Sequence, residues 1–145
     1  MNIIIFGPPG AGKGTQSNFL KEDLKMTQIS TGDLLRNELK KDSELSKQIR
    51  NIMDAGKLVS DEVIYNLIED KISNIYIKNK MIFDGFPRNI EQAKNLEIML
   101  KKYDQNLSKV LNLKVDYSVL IKRISEGYHV QFAKIHTMNI STLHL

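Results

Sequence analysis

Gly7-Pro8-Pro9-Gly10-Ala11-Gly12-Lys13 sets glycines and a lysine in the GxxxxGK pattern of a phosphate-binding loop. A short apolar run, Ile3 to Phe6, leads into it and a helical pattern leaves it, which is the context the motif requires. Glycine lets consecutive backbone amides curl inward around phosphate oxygens. The start of a helix adds its positive dipole end, and a lysine at this spacing reaches the transferred phosphates. A tight strand-to-helix turn without a ligand needs neither the lysine nor so many glycines. A second grouping, Asp84-Gly85-Phe86-Pro87-Arg88, sets a carboxylate at a strand end and an arginine on the following loop, where ligand sites of α/β proteins lie.

The elements that must hold these residues are read from periodicity. Asn2 to Phe6 has a buried-strand pattern, and Lys13 to Leu24 carries Phe19, Leu20 and Leu24 at helical spacing. Helices are expected over Gly32 to Lys41, Leu45 to Ala55 and Asp61 to Asn74, the last with Val63, Ile64, Leu67, Ile68 and Ile72 on one face. Strands follow at Met81 to Asp84 and Val110 to Val115. The helix between them, Ile90 to Lys102, has Ile90, Ala93, Leu96 and Leu100 as its apolar face. A last helix, Tyr117 to about Ser125, contains Val119, Leu120, Ile121 and Ile124. Strands alternating with helices imply a parallel sheet covered on both faces. From Glu126 to Leu145 no period is visible, and this tail holds all three histidines.

Composition narrows the setting. A chain of 145 residues, 41% hydrophobic and 26% charged, fits one compact domain. The apolar run at the start is too short for a signal peptide or a membrane span, so a cytoplasmic protein without membrane attachment is expected. The absence of cysteine excludes a disulfide framework and cysteine-ligated zinc in this polypeptide. The net charge of +4 suits phosphate-bearing ligands. The basic residues are nevertheless scattered, as in Lys40-Lys41 and Lys101-Lys102, and read as solvated helix faces. No polybasic tract argues for nucleic acid.

The subfamily is decided by Gly14, which follows Lys13 where a magnesium-binding Ser or Thr is usual, with Thr15 one position later. GxPGxGKGT, read from Gly7 to Thr15, resembles the loop of nucleoside monophosphate kinases. Ile29-Ser30-Thr31-Gly32-Asp33-Leu34-Leu35-Arg36, Gly56-Lys57-Leu58-Val59 and Ile82-Phe83-Asp84-Gly85-Phe86-Pro87-Arg88 are similar to further signatures of that family, in its bacterial-type adenylate kinase branch. The resemblance covers about the first 125 residues. It implies a phosphate-loop, three-layer α/β core over residues 1–125, with an AMP-binding insertion at about 30–59.

The resemblance also implies roles. Gly10, Ala11, Gly12, Lys13, Gly14, Thr15 and Arg123 would bind ATP, Arg123 by stacking on the adenine. Thr31, Arg36, Lys57, Leu58, Val59, Gly85, Phe86, Pro87, Arg88 and Gln92 would bind AMP. Asp33 and Asp84 would hold the water shell of the magnesium carried by ATP. Lys13, Arg88 and Arg123 are the expected catalytic cations. Arginine forks match a dianionic phosphate as lysine does not, and magnesium keeps most of its waters. Taken singly, Thr31 also reads as a helix cap, Arg36 as a surface charge, and Gln92 with Asn89 as a capping-box-like pair. The implied reaction is transfer of the γ-phosphoryl group of ATP to AMP, giving two ADP, by a monomer. A nucleotide-binding remnant without turnover and a UMP or CMP kinase are the alternatives; Thr31, Val59 and Gln92 together favour AMP by resemblance.

After Lys122-Arg123-Ile124 the family pattern continues with glycine and a second arginine, a lid, a last strand and closing helices. Here Gly127 or Tyr128 stands in register with that arginine, and the pattern is not continued. Back-translation of residues 126–145, read from the third base of the Glu126 codon, permits RISCSICKNTYNEYFNPP, which opens with CxxC like a zinc-type lid. One added G before that codon restores the glycine and the arginine. The expectation is therefore an out-of-frame tail and a truncated enzyme of reduced or no activity. In that reading zinc belongs only to the in-frame lid, the tail is not a domain, His129, His136 and His144 are not metal ligands, and a sheet edge is left open.

Overall fold

The computed structural model describes residues 1–125 and, as backbone, Ile140–Leu143. The three histidines lie outside the described residues. The order of elements is β1 (Asn2–Phe6), α1 (Lys13–Leu24), β2 (Thr27–Ser30), α2 (Thr31–Leu39), α3 (Glu44–Asp54), α4 (Asp61–Ile72), a 3₁₀ turn (Ile75–Ile77), β3 (Met81–Asp84), α5 (Ile90–Lys102), β4 (Leu107–Leu113), α6 (Tyr117–Ser125) and β5 (Ile140–Leu143).

The sheet runs β2-β3-β1-β4-β5. The first four strands are parallel, with Ile5 opposite Asp84 and Ser30 opposite Asp84 on the other side. Side-chain alternation along the central strands splits the core in two. Ile3, Ile5 and Ile82 pack with Ala11, Met26, Leu113 and Leu120 against α1 and α6. Ile4, Met81 and Phe83 pack on the other face with Ile64, Ile68 and Ile72 of α4 and Leu96 and Leu100 of α5. The expected three-layer α/β arrangement is therefore present.

Several expectations are corrected. Thr27–Ser30 is a strand that periodicity did not reveal. Its one buried apolar residue, Ile29, is too little to show a period. The sheet edge expected to be left open is paired at β4: β5, from the tail in which no period is visible, runs antiparallel to β4, Val110 opposite Leu143 and Leu113 opposite Ile140. The inward face of α5 is Gln92, Leu96, Met99 and Leu100, while Ile90 is 76% exposed and Ala93 is exposed too. On α1, Phe19 and Leu24 are exposed and Leu20 packs inward. On α6 only Leu120 is buried.

Local chemistry sets the helix ends. The Ser30 hydroxyl accepts from Asp33 N at 3.5 Å at the start of α2, and Ser43 and Ser46 form a reciprocal capping box on α3. At the end of α3 Gly56, with φ +68°, takes the left-handed position of a Schellman turn. Gly56 N donates to Met53 O at 2.9 Å and Lys57 N to Ile52 O at 3.0 Å.

Candidate active site

The two loops with chemical content meet at the carboxyl ends of β1 and β3. Chain connections run outward in opposite directions from these neighbouring strands, toward β2 and toward β4, which is where open α/β sheets bind ligands. A cleft of about 470 Å³ opens there, lined by Ile5, Phe6, Gly7, Pro9 and Lys13 on one side and Gly85, Pro87 and Arg88 on the other.

On the first side, the loop turns on Gly10 (φ +78°) and Gly12 (φ +92°), and Ala11 N donates to Pro8 O at 3.1 Å. Gly12 caps α1 without a side-chain hydrogen bond, so the first-turn amides remain available to an anion. Lys13 Nζ donates to Gly7 O at 2.8 Å and Pro8 O at 3.1 Å, holding its charge over the loop's own carbonyls. Arg123 Nη1 donates to Gly10 O at 3.0 Å, which ties α6 to the same loop.

Across the cleft, Arg88 Nε donates to Gly85 O at 2.8 Å and Nη2 to the Thr31 hydroxyl at 3.4 Å. Thr31 thus faces Arg88 and is not the helix cap, which is Ser30. Arg36 Nη2 meets Asp33 Oδ1 at 2.6 Å, so these two side chains pair with each other. Phe86 is buried, its ring edge-on to Tyr65 with centroids 6.1 Å apart, which leaves only its backbone to face a ligand. Burial, and then the charge of Asp61, raises the Tyr65 hydroxyl above its ordinary pKa. Leu58 is 94% exposed, whereas Val59 packs against the core. Gln92 N donates to the Asn89 side chain at 2.8 Å, so Asn89 caps α5, while the Gln92 side chain reaches Arg88 N and Asp61.

Sequence reasoning passed over two residues that touch this constellation. Gln28 Nε2 donates to Asp84 Oδ2 at 2.8 Å, and Asp61 Oδ1 accepts from Gln92 Nε2 at 2.8 Å. Gln28 was hidden because its strand was. Asp61 looked like an ordinary acidic residue in the first turn of a helix.

Among the described residues no group of three or more His, Cys, Asp or Glu is arranged to hold a metal ion directly. Asp84 suits a hydrated cation: Gln28 steadies one carboxylate oxygen, and the strand register sets it beside Ile5, two residues before the phosphate loop. Among the described residues no helix is long and apolar enough to cross a membrane.

A parallel core whose glycine loop faces an arginine loop across the strand ends is that of a phosphate-loop nucleotide-binding protein. The family model described as adenylate kinase matches residues 5–142, and the chain belongs to the adenylate kinase family. It is 47% identical over 131 residues to an adenylate kinase of Caulobacter sp. (strain K31), covering 90% of this chain and 69% of that protein. It is 44% identical over 124 residues to one of Pelagibacter ubique (86% and 58%), and 43% identical over 141 residues to one of Clostridioides difficile (91% and 65%). The chain thus spans 58% to 69% of the length of these relatives.

Proposed function

We propose that the chain carries the donor-loop and acceptor-clamp machinery of an ATP:AMP phosphotransferase that forms two ADP. The observation that carries this reading is the cleft shared by Lys13 and Arg88. A donor phosphate on the glycine loop and an acceptor phosphate at Arg88 would approach end to end, the arrangement an in-line transfer needs.

In the step itself an AMP phosphate oxygen forms a bond to the γ-phosphorus as the bond to the β-bridging oxygen breaks, and ADP leaves. The acceptor oxygen is already ionised, so no general base is required. Lys13 exchanges its two loop carbonyls for phosphate oxygens, and Arg88 does the same from Gly85 O. Both place positive charge where the transferring group accumulates negative charge. Arg36 leaves Asp33 to take the acceptor phosphate, Thr31 and the backbone at Lys57 to Val59 border the nucleoside, and Gln92 meets the base edge. Arg123, on the Gly10 side of the loop, serves the ATP side. Magnesium bound with ATP would supply further charge neutralisation, its water shell held by Asp84 and Asp33. Free nucleotides as substrates support a cytoplasmic place and a role in nucleotide supply.

Coupled ADP formation by the 145-residue chain with ATP, magnesium and AMP, run beside Lys13→Ala, tests the reading. Turnover that falls about 10²–10³-fold or more in the variant supports it. Equal turnover in both overturns the role of the glycine loop. Preference for UMP or CMP in a panel of monophosphates would move the acceptor assignment to a pyrimidine. AMP binding without turnover would mark the chain as a binding form.

A further inference from the structure

Gln92 is 7% exposed, and its amide is held from both ends. Oε1 accepts the Arg88 backbone N–H at 2.7 Å, and Nε2 donates to Asp61 Oδ1 at 2.8 Å. A backbone N–H can only donate and a carboxylate can only accept. Turning the amide over would set donor against donor at Arg88 and acceptor against acceptor at Asp61, in a half-desolvated place where unmade bonds are costly. The chemistry of the two neighbours therefore assigns the orientation. Asp61 is exposed at the first position of α4, directly after the segment that leaves the Gly56 turn, and Arg88 lies on the loop after β3. Gln92 thus bridges the start of α4 and the loop after β3.

An amide nitrogen has two hydrogens and an amide oxygen two lone pairs, and here the protein uses one of each. What remains toward a ligand is one N–H and one lone pair in a fixed order. Adenine presents an acceptor, N1, next to a donor, its 6-amino group, and this order complements the held amide. Hypoxanthine presents N1–H next to O6, the reverse order, and matches only an amide turned over.

We propose that Asp61 selects adenine over hypoxanthine in the acceptor nucleotide without touching it, by fixing which end of the Gln92 amide faces the base. This rests on the reading of Gln92 as a base contact. Asp61 is a positioning residue. Its removal as a charge and its removal as an orienting group have different consequences, because asparagine keeps the size and the hydrogen bond but offers either an acceptor or a donor. At its own end asparagine accepts either orientation of Gln92 where aspartate accepts one, so the Arg88 backbone N–H alone is left to hold the order.

The test is titration calorimetry of AMP and of IMP into the 145-residue chain and its Asp61→Asn, Asp61→Ala and Gln92→Leu variants. The parent is expected to prefer AMP. Asp61→Asn is expected to keep AMP affinity within about threefold while the AMP:IMP ratio narrows by about tenfold, the size of the acceptor-against-acceptor mismatch that it removes from the turned amide. Asp61→Ala is expected to weaken AMP binding as well as narrow the ratio. A merely structural role for Asp61 would move AMP and IMP together and leave the ratio at its parent value, which overturns the inference. Gln92→Leu separates the two readings. If it erases the preference while Asp61→Asn leaves it intact, Asp61 has no selecting role. If Gln92→Leu itself leaves the preference intact, the base contact fails and the inference falls with it.

Discussion

Gln28 Nε2 donates to Asp84 Oδ2 at 2.8 Å across the β2–β3 pair. In the parallel register Gln28 stands opposite Ile82, two residues before Asp84, so both polar side chains project on the sheet face that Ile82 shares with α1. That face leads to the glycine loop. A long neutral amide at this diagonal can reach a carboxylate at the strand end and fix its rotamer without neutralising it.

Gln28→Leu should therefore act on the site as well as on stability. Loss of a hydrogen bond to a charged, half-buried oxygen is expected to lower stability by about 1–2 kcal/mol in urea unfolding. Manganese–ATP affinity, followed by electron paramagnetic resonance, should weaken severalfold while AMP affinity holds. Lowered stability with unchanged manganese–ATP affinity would confine Gln28 to a structural role.

Glu38 is buried at the α2–α3 turn, with Lys41 at 2.6 Å and the Ser43 hydroxyl at 3.0 Å. The hydrogen bond from Lys41 holds its carboxyl below the ordinary value of 4.5, burial opposes this, and Ser43 adds to it. A carboxyl depressed by folding contributes stability that is fully present above its unfolded value and is lost as pH falls through the folded value. Thermal unfolding should show an acid limb beginning near pH 4.5 and running downward. Glu38→Gln should be less stable than the parent at neutral pH and should lack that part of the limb. Parallel pH profiles for the two chains would mean that the Glu38–Lys41 pair contributes nothing.

Gln105, 2% exposed in the turn before β4, joins three segments. Its Nε2 donates to Ile72 O at 2.8 Å, and its Oε1 accepts from Asn79 N at 2.8 Å and from Asn2 Nδ2 at 3.2 Å. Asn2 Oδ1 in turn accepts from Met81 N at 3.2 Å. Gln105→Leu keeps the volume and strands a buried carbonyl and a part-buried N–H, so chemical denaturation should show a loss of about 2–4 kcal/mol. A loss under 1 kcal/mol would mean that water replaces the amide. Nucleotide affinity should not change, because the cluster lies at the amino ends of the strands, opposite the cleft.

How much of the fold was legible follows from where the signal sat. β1, α1, β3, α5 and α6 span the residues that periodicity marks, because each is a run of local preferences, with glycine after β1 and β3, glycine before α1 and the Asn89 cap before α5. Thr27–Ser30 was not legible, and its stability as a strand comes from pairing with Met81–Asp84, a partner more than fifty residues away. The strand at Ile140–Leu143 likewise exists through its pairing with β4. On α5 the helix was legible but its inward face was not: Gln92 and Met99 are buried where Ile90 and Ala93 were expected. The neighbouring layer sets the rotation of a helix with a weak apolar stripe.

The site divides the same way. Gly7 to Lys13 lies in one continuous stretch, where local glycines and a helix start set the loop, and the sequence alone determined that loop. Which way Gln92 faces, what steadies Asp84, and that Lys13 and Arg88 share one cleft were decided only by the tertiary structure. Those are relations between side chains on different strands and helices. A hydrogen bond's direction depends on which donor or acceptor the fold brings within about 3 Å, and no local spacing encodes that.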